Sequence, residues 1–184
     1  MKKLIAFAVI ALVGILLLFL VPSRKTNDTL VAYFSATGNT RAVAERLASA
    51  IGADLFEITP ETLYTADDLD YRNKKSRAST EMADRATRPS IATTVEDMAQ
   101  YKMVFIGFPI WWSREPSIID TFVESYDFNG KTIIPFATSG STPTTIEAAS
   151  DIRTLAPNAN VLDGARFPVD VSADELSRWS SEQF

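Results

Sequence analysis

Thr29–Phe34 reads TLVAYF and Ser35–Thr40 reads SATGNT. The first string is apolar and rich in β formers, without polar alternation, as expected of a strand covered on both faces. The second is a turn, after which Val43, Leu47 and Ile51 recur at helical spacing until Gly52 stops the helix. A buried strand, a turn and an amphipathic helix in that order make the first half of a parallel crossover unit.

The same alternation continues along the chain. Ala53–Ile58 is a second strand, Lys102–Phe108 a third, Lys131–Thr138 a fourth and Val161–Phe167 a fifth. Pro116 falls in the first turn of a helix with Ile118, Ile119, Phe122, Val123 and Tyr126 on its apolar face. Pro143 opens another helix, carrying Ile146, Ala149, Ile152 and Leu155, which ends before Pro157. Ser172 and Glu175 form a capping box for a closing helix with Leu176 and Trp179. Five strands alternating with about five helices predict an α/β fold, a three-layer doubly wound parallel sheet whose ligands bind beyond the carboxyl ends of the strands. Pro135 removes one ladder hydrogen bond from the fourth strand, so a bulge or a ladder end is expected beside it. Residues 59–100 are irregular. Their basic side chains Arg72, Lys74, Lys75, Arg77, Arg85 and Arg88 are read as a solvated helix and loop rather than a contact for an anionic partner.

The 184 residues carry a net charge of −5, unevenly divided. Residues 1–28 hold four basic side chains against Asp28, a net +3, and residues 29–184 a net −8. Lys2-Lys3 precedes an apolar run from Leu4 to Val21, 18 residues long. At about 1.5 Å per residue it spans roughly 27 Å, close to the hydrocarbon thickness of a bilayer. It is an export signal or a membrane anchor, and residues 22–28 are a linker to the domain at 29–184. Its length and the lack of an Ala-x-Ala site favour a retained anchor through residues 4–21, with the domain on the extracytoplasmic side. An acidic domain excludes nucleic acid as a partner. The chain has no cysteine and no histidine, which excludes disulfides, thiolate metal sites and Ser-His-Asp hydrolysis. Chemistry must come from carboxylates, hydroxyls, the backbone or a borrowed cofactor.

Three loops follow the carboxyl ends of three strands. Ser35, Ala36, Thr37, Gly38, Asn39 and Thr40 offer hydroxyls, an amide and a glycine at a helix start, where backbone N–H groups and the helix dipole favour an anion. No lysine stands there, so the string is not a nucleotide P-loop. It suits a phosphate monoester held by hydrogen bonds. Pro109, Ile110, Trp111 and Trp112 form the second loop, and on an extended chain tandem rings point to opposite sides, one inward and one left over for stacking. Thr138, Ser139, Gly140 and Ser141 form the third, which lets backbone approach a flat ligand closely. One phosphate end and one aromatic, backbone-lined end outline flavin mononucleotide (FMN).

The chain resembles the flavodoxin family in YFSATGNT (33–40), GFPIWW (107–112) and KTIIPFATSGS (131–141), and is similar to its subgroup with a long segment between the second and third strands. The resemblance covers 29–184 and implies the strand order 2-1-3-4-5 and non-covalent FMN. It implies residues 35–40 on the phosphate, with 109–112 and 138–141 lining the isoalloxazine. Ala36 leaves only its backbone N–H where many relatives carry a hydroxyl. Tyr64 and Tyr71, in the loosely matching segment, receive no place in the site. The implied function is an FMN-dependent one-electron carrier between unidentified redox partner proteins, with the −8 surface suited to basic ones. The alternatives are an NAD(P)H-dependent flavin or quinone reductase on the same fold, and a membrane-tethered binding module without redox activity.

Overall fold

A computed structural model of the chain describes residues 27–139 and 145–183. The expected anchor at 4–21, together with Gly140, Ser141 and Pro143, lies outside the described residues. Among those described, no helix is long and apolar enough to cross a membrane.

Strands β1 (Thr29–Tyr33), β2 (Asp54–Glu57), β3 (Met103–Pro109) and β4 (Thr132–Thr138) form a parallel sheet in the order β2-β1-β3-β4. The edge beyond β4 is shared by two short pieces, β5 (Asn160–Val161) and β6 (Ala165–Phe167). The strand order is therefore the expected 2-1-3-4-5. The expected continuous strand Val161–Phe167 is not found, and Pro135 supplies the reason. The carbonyl of Pro135 faces the edge, since a Cβ built on Gly164 would lie 1.9 Å from it. In a strand the N–H and C=O of one residue face the same neighbour, so the missing N–H also faces the edge. There the edge strand leaves the ladder at Leu162–Gly164 and rejoins it at Ala165, while the β3–β4 ladder runs unbroken past Pro135.

Five α-helices are described: α1 (Asn39–Ile51), α2 (Arg77–Ala83), α3 (Ser117–Glu124), α4 (Ile146–Leu155) and α5 (Ala173–Ser181). Because alternate strand residues face opposite sides, the uninterrupted apolar strings feed two cores. Val31, Tyr33, Phe105, Ile134 and Phe136 pack with Val43 and Leu47 of α1 and Leu176 of α5. Leu30, Ala32, Phe34, Val104, Ile106 and Phe108 pack on the other face with Ile118, Ile119 and Phe122 of α3 and Ile152 of α4.

Gly52 closes α1 at φ 68°, a left-handed conformation that favours glycine. Ser172 accepts the backbone N–H of Glu175, as the capping box requires. Two helix readings need correction. Pro116 stands one position before α3, in extended conformation, and Tyr126 lies beyond its end, packed on Phe122 and Phe128. Ile146 is exposed, so the buried face of α4 is Ala148, Ala149 and Ile152. In the 59–100 segment Lys74 and Lys75 are exposed as expected, but Arg77, Arg85 and Arg88 are paired with carboxylates.

Candidate functional site

The loops after β1, β3 and β4 converge at the carboxyl end of the sheet. Ala36 and Thr37 from the first, Pro109–Ser113 from the second and Ser139 from the third line one cleft of about 530 Å³. That volume is in the range of small-molecule and cofactor sites.

The end expected to take the phosphate is built on α1. Gly38 precedes the helix at φ 91°, and no side chain caps it. The first-turn N–H groups have no acceptor within the helix, so they and the dipole are left for an anion. Ser35 braces the turn by accepting the Gly38 N–H on Oγ at 3.1 Å. Thr37, Gly38 and Asn39 are exposed, whereas Thr40 is buried and its hydroxyl meets that of Thr138 at 2.8 Å. This bond fastens the first loop to the third. One of the two hydroxyls donates to the other, and the accepting one keeps its own proton for a ligand.

The aromatic end is a two-residue hairpin. Trp111 and Arg114 exchange backbone hydrogen bonds of 2.9 and 3.0 Å, which leaves Trp112 and Ser113 at its tip. Both tip residues have positive φ, 46° and 70°, as in a type I′ turn. A side chain in this region costs on the order of 1–3 kcal/mol, a strain typical of ligand-contacting loops. Ser113→Gly should relieve part of it, raising apoprotein stability by up to about 1 kcal/mol in urea unfolding.

The tandem tryptophans divide as expected, one inward and one outward, but through the turn at Trp112 and not through the alternation of an extended chain. Trp111 turns inward and meets Phe34 edge-on at 5.7 Å and Tyr64 at 5.4 Å, while Trp112 is half exposed. Trp112→Ala should therefore change stability by less than about 0.5 kcal/mol. Trp111→Ala should cost about 2–4 kcal/mol through lost packing. Thermal melts of the two variants make the comparison.

Leu69, Tyr71, Ala78 and Ser113 also line the cleft and were not expected there. Ser113 directly follows the tryptophans and could have been inferred from that adjacency. Leu69, Tyr71 and Ala78 come from the aperiodic segment, where Tyr71 is an exposed aromatic without any patterning around it. Tyr64 stands behind Trp111; burial, aided by its hydrogen bond to Glu81, raises its phenol well above the usual range.

A flavodoxin family model matches residues 28–183. Among solved structures, a protein of Bacteroides uniformis assigned as a flavoprotein is 44% identical, with a TM-score of 0.79 over 84% of this chain and 98% of its own. One from Bacteroides eggerthii with the same assignment is 42% identical, with a TM-score of 0.79 over 84% of this chain and 96% of its own. A flavoprotein of Lactobacillus acidophilus solved in complex with FMN is 26% identical, with a TM-score of 0.63 over 84% of this chain and 99% of its own. No curated protein matches the sequence closely enough to count as a relative. With the family model spanning the sheet and all three loops, the chain belongs to the flavodoxin family.

Proposed function

We propose that this protein is an FMN-dependent electron carrier that passes electrons one at a time between redox partner proteins. The observation that carries the reading is the joining of an uncapped, hydroxyl-flanked helix N-terminus to an aromatic-walled cleft through shared Thr37. FMN has one phosphate and one flat ring system, so both ends of the site have a matching part. The FMN complex of the Lactobacillus relative supports the assignment. Bound FMN supplies the redox chemistry; the chain binds, orients and shields it. The α1 N–H groups and Thr37 hold the phosphate, and Pro109–Ser113 and Ser139 wall the ring. Among the described lining residues only Tyr71 is titratable, which suits electron transfer better than acid–base catalysis. Residues 4–21 tether the domain to the membrane in this reading, so the protein should stay with membranes through a carbonate wash; release would overturn the tether.

The test is addition of FMN to the purified protein followed by reductive titration. Stepwise uptake of two electrons supports the carrier, and rapid turnover of NADPH with a quinone would favour the reductase instead. Thr37→Ala should weaken FMN by about 1–3 kcal/mol if its hydroxyl bonds the phosphate. Unchanged affinity would remove Thr37 from the phosphate site.

A further inference from the structure

Behind the Trp111–Arg114 hairpin lies a buried charge cluster that electron carriage does not explain. Glu115 and Asp120 are both buried. Arg114 donates to Glu115 Oε1 at 2.7 Å and lies 3.3 Å from Asp151 and 3.8 Å from Asp120. Arg85 reaches Asp151 at 3.1 Å and Glu115 at 3.8 Å. Arg88 reaches Glu124 at 2.7 Å and Asp120 at 3.7 Å. The cluster thus joins the segment after α2, the hairpin, α3 and α4.

Three guanidiniums face four carboxyls in this network. Only Arg114, Glu115 and Asp120 are largely removed from water, so if both of these carboxyls were ionised one negative charge would lack a buried counterpart, a costly arrangement. The hydrogen bonds are incomplete as well. Glu115 Oε2, Asp120 Oδ1 and Arg114 Nε are buried with no partner among the described residues. Both carboxyls also face the same Arg114 nitrogen, at 2.7 and 3.8 Å. Two carboxylates gathered on one guanidinium cannot hydrogen-bond each other. A single proton between them supplies the donor and balances the charges.

We infer that Glu115 and Asp120 share one proton, and that the resulting neutral network is the positioning element that holds the Trp111–Arg114 hairpin in its flavin-binding form. The inference rests on the hairpin being a wall of the FMN site. Burial pushes Glu115 up to about 10 and raises Asp120 as well, so the proton is kept at neutral pH and lost in the alkaline range. Its loss sets a second buried anion against Arg114, the residue whose backbone closes the hairpin.

Infrared spectra of the FMN-free protein, and FMN affinity measured from pH 6 to 10.5, test the two halves of this idea. Wild type should show a protonated carboxylic acid at neutral pH, absent in Glu115→Gln and in Asp120→Asn. Its FMN affinity should fall at least tenfold across the alkaline limb. In Glu115→Gln the amide donates to Asp120 in place of the proton, so that limb should flatten; Asp120→Asn provides the same test through the other partner. Absence of the acid band overturns the shared proton. Identical affinity profiles in wild type and both variants overturn the coupling to the hairpin. Failure to bind FMN at any pH would overturn the function proposed above and the coupling with it, while the infrared band would still report on the proton.

Discussion

Gly164→Ala is expected to cost about 3–5 kcal/mol of folding stability, enough to unfold a marginal domain. Two penalties coincide at this position. The backbone is left-handed at φ 72°, which a Cβ disfavours by roughly 1–2 kcal/mol. The new carbon would also lie 1.9 Å from the Pro135 carbonyl oxygen, a backbone atom that no side-chain rotation can move. Relief requires β6 to shift away from β4. Arg166 on β6 donates to the Ser139 carbonyl at 2.6 Å, so the shift would reach the third loop of the cleft, and FMN affinity is expected to fall as well. Urea unfolding of the apoprotein checks the first effect and FMN titration the second. A loss below about 1 kcal/mol would show that the edge can move freely.

Arg114→Ala is expected to be comparably damaging, for electrostatic reasons. Removing one member of a buried ion network typically costs about 3–5 kcal/mol, because the remaining charges stay buried without compensation. Here two guanidiniums would be left against four carboxyls. The sign of the pH dependence follows from the raised Glu115 and Asp120. A carboxyl whose folded pKa lies above its unfolded value favours the folded state fully below the unfolded value, near 4.5 for Glu115. That contribution disappears as pH rises through the folded value, about 10. The defect of Arg114→Ala should therefore be smallest near pH 5, where the carboxyls can take up protons, and grow steadily above pH 7. Chemical unfolding at several pH values gives the curve; a defect of constant size would mean that Arg114 acts through packing alone.

The architecture was legible wherever burial is uniform. TLVAYF, KMVFIGF and the run from Lys131 are apolar on both faces because helices cover both faces of the sheet. The edge was misread because the cause and its effect lie on different strands: Pro135 sits in β4, and the break appears in its neighbour. The contribution of Leu69, Tyr71 and Ala78 to the cleft was not legible, since their segment has no period to read. Nor was the engagement of Arg85 and Arg88. Their partners Glu115, Asp120, Glu124 and Asp151 lie on the hairpin end and two later helices, so the charges of residues 59–100 read alone could not find them.

The divided edge has a consequence for how copies of the molecule behave toward one another. An open sheet margin is a template on which another chain can add a strand, and the hazard grows with the length of unbroken ladder. This margin offers two residues in β5, a detour, and three residues in β6. The opposite margin, β2, is four residues long and bounded by the acidic Asp54 and Glu57. Neither side presents enough continuous backbone for a stable intermolecular ladder, so the break at Gly164 also guards the sheet against growth into aggregates.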